Sequence, residues 1–330
     1  MGHLKKIISG SLFFLSLFLA SHLKAGTVGT TTGDILKINQ GTRPAGMGGA
    51  YTAMGDDVYS VNYNPAGLSY IKASQLVLLH LDSLADIQYE YMTFATSWSE
   101  VNTLAVNTTY RHSPPIDNQV IGQNPAFTDD LLGSLSYSRK FSDSIRVGAT
   151  VKLLQSTLGP FSSSAVGFDA GVVIDKLPYG FRAGLSVLNL GTGMTFNPTS
   201  TADSLPMFIR LGLGGHWMID GDKELRWAGE IFKPADQDIK LGVGWEYFVF
   251  PGLMAVRVGY KHEGLGVTTY NVFQNYSIGC TLTRSFDGDD FSVDLAYNPA
   301  EFVSPSDPTS TVEPTFFFAL NFKFNQFFIF

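Results

Sequence analysis

The chain has one cysteine, Cys280, in 330 residues. A single thiol excludes a disulfide framework and a multi-cysteine metal site. Charge is scarce too: Asp, Glu, Lys and Arg make up 15% of the chain, against roughly 25% in ordinary soluble domains. The 22 basic residues form no block, and 29 acidic ones outweigh them to a net charge of −7. That balance argues against nucleic acid as a partner. Beyond the N-terminus no apolar run approaches the ~20 residues that a membrane helix needs. Catalytic signatures are missing as well. There is no G-x-S-x-G elbow, H-E-x-x-H helix, C-x-x-C pair or P-loop. Gly46-Met-Gly48-Gly49 lacks the strand-turn-helix context of a nucleotide loop. The expectation is a protein that is not an enzyme and uses neither cofactor nor metal. What the chain does have is aromatic and small: 26 Phe, 14 Tyr and 34 Gly, within a hydrophobic fraction of 45%. That much apolar material rules out a disordered chain. Without long runs, it has to be spread by alternation.

The N-terminus reads as an export signal. Lys5 and Lys6 precede an apolar stretch from Ile7 to Ala20, too short to span a bilayer and right for the core of a signal peptide. Residues 1–25 are expected to be removed after Ala25. No cysteine follows the core, so lipoprotein processing is excluded.

The body alternates with period two. In residues 145–155, Ile145, Val147, Ala149, Val151 and Leu153 share one parity, with Arg146, Gly148, Thr150 and Lys152 on the other. In 239–249, Leu241, Val243, Trp245 and Tyr247 oppose Lys240, Gly242, Gly244 and Glu246. In the last segment Phe316, Phe318, Leu320, Phe322, Phe324, Phe328 and Phe330 share a parity opposed to Asn321 and Lys323. Such alternation gives each strand one face toward an apolar medium and one toward a different one. Fourteen segments follow the pattern, at 71–80, 87–98, 101–111, 131–141, 145–155, 165–174, 180–190, 206–218, 224–232, 239–249, 252–261, 274–284, 290–298 and 314–330. Most have the ~9–11 residues of a tilted strand crossing a bilayer. Short turns alternate with longer loops at 112–130, 156–164, 191–205, 262–273 and 299–313, as in outer-membrane barrels. In hydrocarbon every backbone N–H and C=O needs a partner, so strands must close into a ring. The fold class expected is all-β: a transmembrane antiparallel β-barrel of about fourteen strands over residues 71–330, both termini on the short-turn, periplasmic side. A large soluble β-sandwich or secreted barrel is the rival reading. The terminal aromatic strand ending at Phe330 opposes it, because it looks like the signal read by the barrel-assembly machinery of bacterial outer membranes.

Residues 26–70 break the pattern. They are expected to fold from the periplasmic side into the lumen as a plug, with Gly48–Asp57 a short helix or strand and Asn64-Pro65 a turn. The run from Gly41 to Leu68, with Arg43, Pro44, Gly46, Gly48, Gly49, Asp56, Asp57, Asn64, Pro65 and Gly67, resembles the N-terminal hatch of FadL-like outer-membrane proteins. It is most similar to the PorV/PorQ branch. Weaker matches are His80 with Ile87–Tyr91, Gly167–Gly171, and Leu205-Pro206 leading into Arg210-Leu-Gly212. The resemblance implies a fourteen-stranded barrel with an N-terminal hatch. It also implies either passage of hydrophobic molecules, such as long-chain fatty acids, or a place in a type IX secretion complex. In the second case the barrel would bind secreted proteins through loops 112–130 and 299–313.

The ten hatch residues are the expected ligand path. Arg146, Lys152, Asp169, Arg182, Arg210, Lys240, Glu246 and Lys323 are expected to face the lumen, where they solvate a wet interior and pair with one another. His80, His112, His216 and His262 fall near strand ends as polar or interfacial groups. Asp287–Asp290 reads as a hairpin turn, and Cys280 as a small lipid-facing hydrophobe. The expected partners are outer-membrane lipid and a hydrophobic small molecule.

Overall fold

The computed structural model describes residues 30–83, 86–114, 127–197, 199, 201–262, 275–299 and 314–324. The expected signal peptide, the aromatics Phe328 and Phe330, and most of loops 112–130, 262–273 and 299–313 lie outside the described residues. Fourteen strands run in sequence: β1 (Ser74–Asp82), β2 (Gln88–Ser99), β3 (Asn102–His112), β4 (Thr128–Lys140), β5 (Ile145–Leu158), β6 (Phe161–Ile174), β7 (Arg182–Gly191), β8 (Phe208–Asp220), β9 (Lys223–Pro234), β10 (Lys240–Phe250), β11 (Met254–His262), β12 (Tyr276–Phe286), β13 (Asp289–Asn298) and β14 (Thr315–Phe324). Each pairs antiparallel with its neighbour in sequence, and β1 pairs with β14 from Ser74↔Phe324 to Asp82↔Phe316. The sheet is a closed barrel without edges, so no strand presents an unpaired row of donors and acceptors.

Alternation decides which way each side chain points. In β5, Ile145, Val151 and Leu153 are exposed on the outer wall, while Thr150, Lys152, Leu154 and Ser156 are buried inside. One row crosses five strands as Phe94, Val106, Leu135, Val151 and Phe168, all on the outer face. Four of these are more than 40% exposed to solvent, where a water-soluble barrel would carry polar groups. An aromatic and aliphatic outer face is what lipid requires.

The turns at the short end are tight. Asp287 and Gly288 join β12 to β13 with φ of 50° and 89°, the left-handed pair that a two-residue hairpin demands. One expected long loop is not a loop. Residues 156–164 belong mostly to β5 and β6, which pair as far as Leu158↔Phe161 around Gly159-Pro160. Ser156, Thr157, Ser162 and Ser163 continue the ladder although they lack apolar alternation, because backbone pairing to a neighbouring strand carries them.

Residues 30–71 lie inside the barrel. Their secondary structure is slight: a one-turn helix at Thr42–Gly46 and 3-10 turns at Asp34–Leu36, Val58–Asn62 and Pro65–Tyr70. Gly48–Asp57 is neither helix nor strand; it winds through successive turns, because Gly48 and Gly49 take φ of 63° and 75°, which regular elements do not use. The first described residues of the segment lie at the long-loop end of the barrel, not at the short-turn end. Thr32 N–H donates to Ser204 O at 3.0 Å and Thr31 Oγ1 to Asp236 Oδ2 at 2.5 Å, in the β7–β8 and β9–β10 connections at the long-loop end. The chain then descends the lumen and leaves at the short-turn end, where β1 begins. Tyr51, Tyr59, Met47, Leu68 and Ile35 are almost wholly buried, and they form one apolar cluster with Val77, Leu79, Leu132 and Phe317 of the wall.

Candidate ligand path through the lumen

Inward-facing glycines let the segment seat against the wall. A Cβ at Gly148 of β5 would overlap the Pro65 carbonyl, and one at Gly259 of β11 would overlap the Gly48 nitrogen. Gly171, Gly184, Gly242 and Gly244 meet Asn64, Thr52, Gly48 and Met47 just as closely. Glycine at the polar parity of a strand therefore marks where segment backbone touches wall backbone. That signal is present in the sequence, although read alone it indicates only a non-apolar inner face.

The segment's own charges are held by the wall. Arg43 sits at the centre. Its Nε and Nη2 donate to the two carboxylate oxygens of Glu246 at 2.9 and 2.6 Å, in a bidentate fork. Its Nη1 donates to Asp56 at 2.5 Å, to Asp57 at 2.9 Å and to the Tyr51 hydroxyl at 2.9 Å. Arg257 adds a 2.7 Å bond to Glu246, and Arg226 a 3.0 Å bond to Asp56. Burial works against ionisation of Asp56, but the guanidiniums of Arg43 and Arg226 override it and hold its carboxyl far below the usual range. Asp57 goes the other way. Burial raises its pKa, Arg43 offsets only part of that, and the charge of Asp56 raises it further.

The other segment residues fall into place around this core. Asn64 caps the 3-10 turn Pro65–Tyr70, its Oδ1 accepting from Ala66 N–H at 3.1 Å while its Nδ2 donates to Thr52 O at 2.8 Å. Pro44 O accepts from Met47 N–H and Gly49 N–H at 3.1 and 2.9 Å. Gly46 approaches Gly279 of β12, and Gly67 packs against the Gly55 carbonyl.

The eight charged strand residues all lie on the inner face. Arg210 donates to Glu230 at 2.6 Å and to Gly49 O at 2.8 Å, while Glu230 accepts from Tyr51 N–H and Thr52 N–H. Lys152 pairs with Asp169 at 2.8 Å and donates to Asn189 at 2.7 Å. Arg146 and Arg182 flank Asp175 at 2.8 and 3.3 Å, with the Tyr70 ring between their guanidiniums. Lys240 and Lys323 line two different cavities. Several partners sequence reasoning missed: Glu230, Arg226, Arg257 and Asp175. The first three do alternate with apolar neighbours in their own strands, Arg226 and Glu230 with Leu225, Trp227 and Ile231, and Arg257 with Val256 and Val258, and that was their available signal.

Two cavities flank the segment, and no described residue lines both. The cavity at the long-loop end measures about 460 Å³. Its apolar wall includes Leu36, Ile38, Tyr89, Leu188, Phe208 and Phe232. Among the described residues its charges are Lys37, Arg111, Lys152, Arg210, Lys240 and Lys261, against the single carboxylate Asp34. Asp236, Asp130, Asp169 and Glu230, which pair with four of those cations, lie behind them and do not reach the cavity. The second cavity, about 290 Å³ at the short-turn end, is polar, with Arg43, Arg257, Asp56, Asp290, Asp294 and Lys323 on its lining. The stretch from Gly41 to Tyr63 separates the two. Among the described residues no group of three or more His, Cys, Asp or Glu is placed to hold a metal.

A closed antiparallel barrel of fourteen strands has known counterparts. The solved toluene transporter TbuX of Ralstonia pickettii superposes with a TM-score of 0.56 at 11% identity, covering 86% of this chain and 97% of that one. The fold is the same. The Pseudomonas putida toluene transporter TodX gives 0.58 at 10% identity, over 91% and 98% of the two chains. A Pseudomonas aeruginosa FadL homologue gives 0.53 at 12%, over 91% and all of its own length. At such identities the likeness is one of architecture. The model of an uncharacterised protein family, UPF0164, matches residues 20–112, which take in the lumen segment and the first three strands. No curated protein matches the chain.

Proposed function

We propose that this chain is an outer-membrane channel for hydrophobic small molecules whose passage is gated by residues 41–68. The observation that carries the reading is the cavity at the long-loop end: an apolar wall joined to six cations, closed below by a segment anchored on polar contacts. An apolar pocket with a few convergent polar groups is the usual form of a small-molecule site. The cations select, among hydrophobic molecules, those with an anionic end, such as fatty acids or aromatic carboxylates. The structural neighbours, toluene transporters and monoaromatic hydrocarbon channels, support transport as the general role. Export by a cleaved signal peptide, a hatch of the PorV/PorQ type and assembly through the terminal strand belong to the same reading.

The mechanism is physical. A ligand enters at the loop end and buries its apolar body against Leu188, Phe208 and Phe232, with its charge near Arg210 and Lys261. Movement of the 41–63 stretch then joins the two cavities. The network around Arg43 resists that movement, and its cooperative, many-partnered geometry makes opening a discrete step. The test is uptake of labelled fatty acids and of toluene by a deletion strain, with and without the gene restored. Loss of fatty acid entry on deletion supports the proposal; entry unchanged for both compounds sinks it. Nothing in the described residues favours a secretion complex, since the loops assigned to partner binding lie largely beyond them.

A further inference from the structure

The outer wall carries a groove that the channel reading does not use. It measures about 400 Å³ and runs across β12, β13, β14 and β1 toward the long-loop end. Its sides are Ile278, Cys280, Leu295, Tyr297, Phe316 and Phe318, and its floor includes the small residues Gly279 and Ala296. The register sets these side chains in two rows: Cys280, Leu295, Phe318 and His80 in one, and Ile278, Tyr297, Phe316 and Asp82 in the other. Both rows therefore start apolar and end polar on β1.

The polar end is acidic. His80 Nδ1 pairs with Glu90 of β2 at 2.7 Å, and its Nε2 with Asp82 at 3.2 Å. Both carboxylates are more than half exposed on the outer face. One imidazole answers two carboxylates, so the cluster stays negative in either protonation state of the histidine. Among the described residues no Lys or Arg lines the groove. A carboxylate on the lipid-facing wall is costly unless something cationic meets it. An apolar trough ending at such a cluster is complementary to a molecule with an acyl chain and a cationic head.

We infer that this groove binds a membrane lipid whose headgroup carries an ammonium, with an acyl chain along Phe316, Phe318 and Leu295 and the ammonium at Asp82 and Glu90. An anionic headgroup is repelled at the same place. The inference rests on the membrane-barrel reading but not on the transported ligand.

The experiment is native mass spectrometry of the full chain, released from vesicles of equimolar phosphatidylethanolamine and phosphatidylglycerol. The expected result is retained lipid enriched about fivefold in phosphatidylethanolamine, the selectivity of roughly one interfacial charge interaction. The double variant Asp82→Asn/Glu90→Gln should abolish the enrichment while still binding lipid, and Leu295→Trp should reduce the amount retained by filling the trough. Equal retention of both lipids by the unmodified chain overturns the inference, as does enrichment that survives in the double variant. A dimer mass with no retained lipid also overturns it, by assigning the groove to a second copy. Each of these outcomes leaves a folded, detergent-dependent barrel. Recovery of the chain as a soluble monomer without detergent would instead remove the membrane reading itself.

Discussion

Arg43 carries more polar contacts than any other residue discussed above, and its removal has a definite cost. In Arg43→Met the carboxylates of Glu246, Asp56 and Asp57 stay in the lumen without their main partner. Breaking a buried pair from one side costs about 3–5 kcal/mol. The expected outcome is a lumen segment that no longer stays docked, read as raised single-channel conductance in planar bilayers. The charge pattern also sets the response to acid. Asp56 has a folded pKa below its unfolded one, so its contribution to docking is present in full above the ordinary carboxylate value of ~3.9 and fades only as pH falls through the lower folded value. Asp57 has the opposite sign. Its raised pKa weakens docking at neutral pH, and protonation relieves that strain on acidification. The two together keep the segment seated in mild acid, so conductance at pH 5 should match that at pH 7. A clear rise at pH 5 would show that these carboxylates do not hold it.

Strands are the scale at which glycine acquires its meaning. Gly259 shares the parity of Arg257 and Lys261, Gly229 that of Trp227 and Ile231, so the two face opposite ways. A side chain at Gly259 collides with the backbone of Gly48, whereas one at Gly229 finds open space. Gly259→Val should therefore displace the segment and destabilise the fold by about 1–3 kcal/mol, the usual cost of overpacking. Gly229→Val should be neutral or slightly stabilising, since valine suits a strand. Urea unfolding of both variants in lipid vesicles decides the matter; equal midpoints would mean that the segment does not press on the wall. Much of this scale was legible beforehand. The windows 145–155 and 239–249 became β5 and β10 with their inner and outer faces as read. The tip of the β5–β6 hairpin was not, because four serines and threonines give no alternation and are held only by pairing to each other.

As a whole molecule, the barrel presents its apolar side outward, the reverse of a soluble protein. Val151 lies within an outward row of five apolar residues and is 44% exposed. An arginine there should cost about 2–4 kcal/mol in a bilayer, while the same change in water would cost little. Val151→Arg should thus lower the stability of the vesicle-folded chain sharply, measured by urea titration of tryptophan fluorescence. An unchanged midpoint would mean that this face does not meet hydrocarbon. The even number of strands makes β1 and β14 run antiparallel, and their pairing closes the ring.

Period-two alternation lies in the order of residues, so the strands, their inward and outward faces and the need for closure could all be read from the chain itself. A strand's two faces are written locally, one residue after another. The path of residues 30–71 is not written that way. Thr31 finds Asp236, Arg43 finds Glu246 and Asn64 reaches Val172 only because closure brings distant positions to one lumen. The seating of Thr31 and Thr32 at the long-loop end, the division into two cavities and the acid-tipped groove on the outer wall all depend on which strands end up adjacent. Those are properties of a ring, and a linear pattern holds no record of what faces what across its interior.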